Sequence, residues 1–244
     1  MAVVVSRLRL AERPPVEVAQ APVVPSRRPL FVVTSEIREL PRTRWQRQAK
    51  RAVDIVGSVL AIALLSPVFV ATAIAVRLTS RGPIFFVQDR CGLGGRLFRF
   101  YKFRTMVVDA EARKAELAAL NEMHGPVFKI ERDPRVTPIG RILRKLSIDE
   151  LPQLWNVLKG DMSLVGPRPP TPDEVERYNR KQAQRLAVIP GITGLWQVSG
   201  RSEIADFDRW VELDLSYAHT WSVWNDLKIL AKTPWVVLTA RGAR

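Results

Sequence analysis

Cysteine and histidine are nearly absent from this chain of 244 residues. The single cysteine, Cys91, excludes a disulfide within the chain and is typical of a protein from a reducing compartment. No second cysteine or histidine stands at a spacing that suggests a zinc site, and we assign no role to His124 or His219. Disulfide-stapled and zinc-binding classes are therefore excluded as explanations of the fold.

Acidic residues are also scarce relative to basic ones, with 24 Asp and Glu against 38 Lys and Arg and a formal net charge of +14. Such an excess predicts an anionic partner, either nucleic acid, anionic lipid or a phosphorylated substrate. Apolar residues make up 47% of the chain, which argues against global disorder. The length allows one sizeable domain with accessory segments.

Residues 1–48 lack the continuous apolar core of a secretory signal, because the only apolar run near the start, residues 3–5, is too short. The segment carries many prolines and scattered arginines instead. We therefore predict a disordered leader over residues 1–48.

Long hydrophobic runs are limited to residues 55–76, enough for a spanning helix at about 1.5 Å per residue across a hydrocarbon core of ~30 Å. Ser66 and Pro67 lie at the middle of this run, where a proline removes one helical hydrogen bond and bends the axis. Basic residues such as Lys50 and Arg77 flank both ends. Since basic flanks stay on the cytoplasmic side, we expect both ends there.

This pattern favours a bent hairpin that enters and leaves the membrane by the same face. Each arm of the apolar run would reach roughly half of a ~30 Å core. A kinked helix that crosses the membrane once is the alternative that its length leaves open.

The remaining pattern indicates short strands and helices. Residues 84–88 and 97–103 are typical of two strands joined by a glycine-rich turn. We expect helices over residues 105–123, 140–145 and 171–188, the last with a threonine N-cap, a proline next and a glutamate third. The segment that follows is helical in pattern.

Four of the seven tryptophans fall in this last segment, at Trp210, Trp221, Trp224 and Trp235, interspersed with lysines. Tryptophan and lysine on an amphipathic helix suit the headgroup level of a bilayer. Packing in a protein core is the alternative for each ring. Together with the apolar run and the positive charge, the pattern favours a domain that rests on a membrane surface.

Two adjacent carboxylates, Asp149 and Glu150, provide the clearest candidate for chemistry. Ser147 and Glu150 match a capping box, which is a purely structural explanation. Pro152 favours a helix that starts at Asp149, because its missing N–H then falls among donors that have no helical partner anyway. With either start of the helix, the helix N-terminus and the nearby Arg144 favour an ionised Asp149. An ionised aspartate at such a position can bind Mg²⁺ or attack phosphorus. Capping and catalysis both remain open.

Several cations could bind a phosphate. Arg168 lies between two prolines that restrict its backbone, and a guanidinium matches phosphate oxygens bidentately. Strand alternation places Lys102 and Arg104 on one face. Arg201 follows a glycine loop whose N–H groups could approach an anion. A surface salt bridge is the alternative for each of these side chains.

Taken together, these segments resemble the bacterial sugar transferase family, the monotopic polyprenyl-phosphate hexose-1-phosphate transferases. The resemblance covers the chain from about residue 50 to its end. It rests on the order and number of the following segments: KRAVD (50–54), SP (66–67), GPIFF (82–86), KFRTM (102–106), DPRVT (133–137), residues 146–165, PRP (167–169) and PGITGLWQVSGR (190–201).

The resemblance implies that Asp149 and Glu150 form a catalytic dyad. Asp149 would attack the β-phosphate of a UDP-sugar, release UMP and form a phosphosugar–aspartate that undecaprenyl phosphate then resolves. Mg²⁺ is the implied cofactor, with Asp149 as its ligand and Glu150 as a base or a support of the metal site. Arg144, Arg168 and Arg201 match the family's phosphate-binding positions.

After the leader 1–48, in which this chain departs from larger members of the family, the resemblance implies an α+β, mostly helical fold: a re-entrant membrane hairpin over 49–80 broken at Ser66 and Pro67, and a small catalytic domain over 81–244. That domain would have a short β-hairpin and amphipathic interfacial helices, at the cytoplasmic face of a bacterial inner membrane. The implied partners are a UDP-sugar, undecaprenyl phosphate and membrane lipid, without nucleic acid, and a homo-oligomer stays open.

We expect UDP-galactose or UDP-glucose as donor, and exopolysaccharide or O-antigen as the glycan that is started. The main alternative class is a basic protein without enzymatic activity that binds a membrane or nucleic acid through its charge. Among enzymes, the alternative is a transferase of intact sugar that releases UDP and forms no covalent intermediate.

Overall fold

A computed structural model describes residues 43–123, 125–200, 204 and 206–239. The helices are α1 Arg44–Thr79, α2 Pro138–Lys145, α3 Gln153–Lys159, α4 Pro172–Val175, α5 Arg180–Ala183, α6 Leu195–Val198, α7 Phe207–His219 and α8 Val223–Leu238. The strands are β1 Phe85–Cys91, β2 Leu97–Phe103, β3 Ser163–Val165 and β4 Gly191–Thr193. This mostly helical α+β fold agrees with the predicted class.

The apolar run forms a single helix, α1. A capping box between Thr43 and Gln46 starts it inside the segment assigned to the leader. The helix continues through Ser66 and Pro67, so it is not interrupted at the predicted break. The Ser66 hydroxyl donates to the Ala63 carbonyl at 2.9 Å, which is the carbonyl that the missing N–H of Pro67 would leave without a helical partner. Serine thus compensates for proline within the helix.

Helix α1 buries one narrow stripe and exposes the rest. The buried positions follow helical spacing on one face: Lys50, Asp54, Ser58, Thr72 and Val76. The exposed side chains are mostly apolar, for example Leu60 at 62% and Leu64 at 79%. Among the described residues, α1 is the one helix long and apolar enough to cross a membrane.

Both ends of α1 are bonded to the rest of the protein. Near its start, the Lys50 ammonium lies 2.7 Å from Asp226 of α8 in a buried ion pair. Just past its end, the guanidinium of Arg104, the residue after β2, donates to the carbonyls of Ser80 and Arg81. The domain therefore holds the helix at two points on either side of its apolar middle.

The predicted β-hairpin is confirmed. Strands β1 and β2 pair antiparallel from Phe85 opposite Phe103 to Cys91 opposite Leu97. Gly94 in the connecting turn has a φ of 63°, a conformation that glycine adopts without strain. The hairpin presents Lys102 to the interior of the domain.

Two predicted helices are wrong in their extent. Residues 105–123 form two short 3₁₀ turns, because their backbone pairs with a later segment: Val107 donates to the Arg135 carbonyl and Met106 bridges to Val136. Residues 171–188 begin with the predicted capping box at Thr171 but split into α4, α5 and a 3₁₀ turn. The split occurs where Asn179 starts a second capping box.

The short strands β3 and β4 pair in parallel and bring two loops together. A Cβ on Gly191 would overlap the backbone nitrogen of Gly166, so only glycine permits this approach. The Gly191 N–H donates to the Pro167 carbonyl at 2.8 Å. This contact fixes the start of the segment that carries Arg168.

The C-terminal helices agree with the predicted pattern but divide the tryptophans between two environments. Trp210 is buried in the core beside Trp196, with the rings stacked at 3.9 Å. Trp224 and Trp235 of α8 are 64% and 63% exposed. Core packing therefore explains the first, and an interfacial position remains open for the exposed pair.

Candidate active site

The two candidate catalytic carboxylates lie in a 3₁₀ turn, Ile148–Glu150, between α2 and α3. Ser147 before it has a φ of 54°, the left-handed region, alone among the described non-glycine residues. Its side chain forms no capping hydrogen bond, and α3 begins only at Gln153, after Pro152. Both the predicted capping box and the predicted helix start at Asp149 are therefore wrong.

The turn directs the carboxylates into a cavity of about 430 Å³, here called the main cavity. The structure brings together most of the predicted site residues on its wall. These are Lys102, Arg104, Arg144, Asp149, Glu150 and Arg168. An apolar and aromatic portion of the same wall includes Phe100, Val127, Phe128 and Trp196. One cavity thus combines charged side chains with apolar and aromatic ones.

Lys102 is the closest cation to the carboxylates. Its ammonium lies 2.8 Å from Oε1 of Glu150 and 3.7 Å from Oδ2 of Asp149. Burial raises the pKa of Asp149, with only 5% of the residue exposed, while Lys102 and Arg144 act in the opposite direction. The sequence predicted a carboxylate held in its charged form. In the structure, the effect of burial on the pKa of Asp149 outweighs that of the two cations.

The predicted arginines have different surroundings. The Arg144 side chain donates from Nε to the Thr105 hydroxyl at 2.9 Å, which orients it toward the cavity. Arg168 has no ion-pair partner within the part of the chain that the structure describes. Arg104 is committed to the end of α1, since its terminal nitrogens donate to Ser80 and Arg81. Arg201 lies outside the described residues.

Two buried arginines that the sequence reading missed support the Arg168 segment from behind. Arg90 donates to the Pro169 carbonyl at 3.0 Å, and Arg185 donates to the Arg168 carbonyl at 3.3 Å. The pKa of Arg90 is lowered to about 10. Burial is the largest cause, and the positive charge of Arg168 is the second. Prolines have no N–H, so a proline-rich segment cannot form a regular hydrogen-bond pattern, and its buried carbonyls accept hydrogen bonds from other elements. This is the one sequence signal that points to such partners.

Arg185 is itself held in a closed setting. Its Nε lies 2.7 Å from Asp214, its Nη1 donates to the Tyr178 hydroxyl at 2.7 Å, and the rings of Phe207 and Trp210 lie against the guanidinium. Burial raises the pKa of Asp214 to about 6 despite this ion pair. The network fixes the guanidinium that supports the Arg168 backbone.

The donor set at the dyad suits a metal that is shared with a substrate. Magnesium in phosphoryl sites is usually held by one or two carboxylates together with substrate phosphates. Asp149 and Glu150 provide two neighbouring carboxylates on the cavity wall. No group of three or more acidic, histidine or cysteine side chains that could hold a metal occurs among the described residues. The residues therefore fit a metal only when a diphosphate supplies further ligands.

Comparison with known proteins identifies the family of this chain. The sequence model of the family described as bacterial sugar transferase matches residues 45–240. Galactosyl transferase CpsE of Streptococcus agalactiae is 54% identical over 196 residues, which are 80% of this chain and 43% of that protein. Undecaprenyl-phosphate galactose phosphotransferase of Salmonella typhimurium is 46% identical over 204 residues, 82% of this chain and 42% of that protein.

A third relative is similar in length. The exopolysaccharide production protein ExoY of Rhizobium meliloti is 40% identical over 199 residues, 80% of this chain and 88% of that protein. The chain spans about two fifths of the length of the two relatives above. The family match covers the apolar helix, the dyad and the proline-framed arginine alike. The chain belongs to the bacterial sugar transferase family.

Proposed function

We propose that this protein transfers a hexose-1-phosphate from a UDP-sugar to undecaprenyl phosphate and releases UMP. The observation that carries the proposal is the meeting of two carboxylates with Lys102, Arg144 and Arg168 in one cavity. A diphosphate needs such cations to offset its charge, and a carboxylate can serve as the nucleophile. The relative from Salmonella typhimurium is named as an undecaprenyl-phosphate galactose phosphotransferase, which favours the same reaction here.

In the first step, an Oδ atom of Asp149 attacks the β-phosphorus of the UDP-sugar. The bond from that phosphorus to the bridging oxygen breaks, and UMP leaves with the electron pair. Asp149 reacts in its ionised form, which Lys102 and Arg144 favour. Arg168, held by its proline neighbours and the buried arginines, is suited to bind a phosphate bidentately.

In the second step, a phosphate oxygen of undecaprenyl phosphate attacks the same phosphorus. The bond between the Asp149 oxygen and phosphorus, an acyl phosphate, breaks; the carboxylate is restored and a polyprenyl-diphosphate sugar is formed. Glu150 lies beside Asp149 and bonds to Lys102, so it is placed to accept a proton from the attacking phosphate. Lys102 keeps both carboxylates within reach of one positive charge.

A divalent metal is expected in this family, and we propose Mg²⁺. When bound, it would neutralise charge on the diphosphate oxygens. Asp149 would hold it, with Glu150 supporting the site. The charges already present on Lys102 and Arg144 orient the phosphates toward the same end of the main cavity.

We propose further that α1 enters and leaves the membrane at one face, on the cytoplasmic side of a bacterial inner membrane. Lys50 and Arg104 tie opposite ends of the helix to the same domain. A helix that crossed a ~30 Å core would carry these ends to opposite sides. A bend at Pro67 breaks no further backbone hydrogen bond, because proline has no N–H.

The donor sugar is proposed as galactose or glucose. The relatives from Streptococcus agalactiae and Salmonella typhimurium carry galactose in their names, and one from Komagataeibacter xylinus is named for glucose. Relatives named for exopolysaccharide production favour a role at the start of such a glycan.

The test uses detergent-solubilised protein with UDP-sugar labelled in the sugar. The unmodified protein should release UMP and retain the label covalently after acid quench when acceptor is left out. Asp149→Asn should abolish both signals, while Asp89→Asn, on the surface of β1, should retain them. Covalent labelling of the Asp149→Asn protein would exclude this residue as the nucleophile, and UDP release would indicate transfer of intact sugar.

A further inference from the structure

A second cavity borders the turn that carries the dyad, with Leu146, Ser147, Glu150 and Leu151 on its wall. It measures about 200 Å³ and is enclosed by α1, the dyad turn, α3, β4, α6 and α8. Its wall is mostly aliphatic, with Ala61 and Leu65 from α1, Leu154 from α3, and Val236 and Val237 from α8. The main cavity, by contrast, has several cations on its wall.

The two cavities share part of their walls. Ser147 and Glu150 border both of them. Among the described residues, the wall of the second cavity has Glu150 as its one charged side chain, at the end that meets the main cavity. Two of its other polar side chains, Thr193 and Thr233, bond to each other at 2.9 Å. A ligand with a charged head at the dyad and an apolar body in this cavity would match both surfaces.

The second cavity lies between the two helices that expose the most apolar surface. Residues adjacent in sequence to its wall residues are exposed: Leu64 of α1 at 79%, and Trp235 and Leu238 of α8 at 63% and 76%. An apolar face of this kind suits the acyl region of a bilayer, with tryptophan at the headgroup level. A chain that left the cavity here would pass directly into lipid.

We propose that the second cavity binds the first isoprene units of the polyprenyl acceptor, those next to its phosphate. This inference rests on the proposed function. Its occupant enters from the membrane between α1 and α8 and brings its phosphate to Glu150, while the nucleotide sugar occupies the main cavity. The donor and the acceptor chain thus occupy different cavities, whose walls meet at Ser147 and Glu150.

The size and lining of the cavity support this assignment. Pockets that enclose a whole small molecule measure roughly 300–1,000 Å³, so about 200 Å³ suits only part of a long chain. The absence of a cation on the described wall disfavours a diphosphate or a nucleotide. A flexible hydrocarbon needs no hydrogen-bond partners in this cavity. The hydrogen bond between the Thr193 and Thr233 hydroxyls agrees with such an occupant, because these two groups already have each other as partners.

The test replaces Ala61 by phenylalanine to fill the cavity from α1. Ala61→Phe should raise the KM for undecaprenyl phosphate at least about tenfold, a loss of about 1.4 kcal/mol. It should leave the stoichiometric burst of UMP without acceptor unchanged, because that step uses the main cavity alone. Leu60→Phe, one residue away and 62% exposed, is the matched control and should change neither quantity.

An unchanged KM in a folded Ala61→Phe protein would overturn the proposal, as would an equal effect of Leu60→Phe. A second measurement covers the case in which Ala61→Phe does not fold. Undecaprenyl phosphate with a photoreactive diazirine in its first isoprene unit should label residues 61–65 or 233–237 of the unmodified protein, with or without turnover. Label confined to residues 127–130 of the main cavity would refute the assignment.

These readouts separate the inference from the function on which it rests. If the unmodified protein shows no UMP burst with any UDP-sugar, the proposed reaction fails. Photolabelling at the second cavity would still support a lipid-phosphate site there. A normal burst with labelling elsewhere would leave the reaction standing and remove this cavity from it.

Discussion

Replacing Lys50 by methionine tests how strongly the start of α1 is held by the domain. The ammonium and the Asp226 carboxylate lie 2.7 Å apart, with 7% and 3% of their side chains exposed. Tyr217 and Trp221 also donate to the same carboxylate, at 2.8 and 3.0 Å. Methionine keeps most of the apolar stem and removes the ammonium, which also donates to the Val165 carbonyl at 3.1 Å.

The expected loss follows from burial. Removing one member of a buried ion pair leaves the other charge uncompensated and costs about 3–5 kcal/mol. A domain of this size loses about 2–4 °C in Tm for each kcal/mol, so Lys50→Met should lower Tm by roughly 6–20 °C. Lys50→Met with Asp226→Leu should recover part of the loss, because no buried charge then remains.

Thermal unfolding of the detergent-solubilised protein, followed by tryptophan fluorescence, measures this difference. Lys181→Met is the control, since Lys181 and Glu212 form an exposed pair, with side chains 52% and 47% accessible, worth about 0–1 kcal/mol. If Lys50→Met costs no more than Lys181→Met, the buried pair does not anchor α1, and the support that it lends to the one-faced membrane topology is removed.

Two further predictions concern the arginines behind Arg168. Arg90→Met leaves the Pro169 carbonyl without its donor, which costs about 1–3 kcal/mol of stability. It should lower both Tm and, in a UMP-release assay, kcat/KM for the UDP-sugar. No change in either quantity would contradict a supporting role of Arg90. Burial raises the pKa of Asp214 to about 6, above its ordinary 3.8. The folded state therefore keeps this proton while the unfolded chain loses it, and this residue removes about 1.4 kcal/mol of stability per pH unit between these values as pH rises. Asp214→Asn should eliminate that slope in unfolding measured from pH 4 to 7, and an unchanged slope would contradict the assignment.

The candidate site was predictable where the needed residues lie close together in sequence or alternate along a strand. Asp149 and Glu150 are adjacent, and Lys102 follows from the inward face of a recognisable strand. Arg90 and Arg185 were not predictable, because each finds its carbonyl partner across a large separation in sequence, 79 and 17 residues away. Only the three-dimensional fold reveals that they serve the same segment.

The fold was predictable where local preference and tertiary structure agree. The alternation in β1 and β2 and the capping box at Thr171 both appear as expected. Residues 105–123 have the composition of a helix, yet Arg135, which is paired with Asp133, donates to the Ala110 carbonyl and ties this segment to another part of the domain. Tertiary contacts override weak helix propensity there.

The prediction that a helix starts at Asp149 was wrong for a related reason. Capping patterns assume that the residue before the helix is extended, whereas Ser147 is left-handed. No local rule predicts that conformation for a serine. It costs about 1–3 kcal/mol, and the surrounding domain stabilises it at the point where the carboxylates enter the cavity.

The ion pair at the start of α1 joins residues 176 positions apart in the chain. During synthesis, at about 5–20 residues per second, Lys50 is made roughly 10–35 seconds before Asp226. The helix itself ends at Thr79, so all of its residues are made well before Asp226, and in the meantime the Lys50 ammonium has no Asp226 carboxylate to pair with. The order of synthesis therefore means that α1 is formed without its Lys50–Asp226 anchor, and that the anchor is completed only when α8 is made.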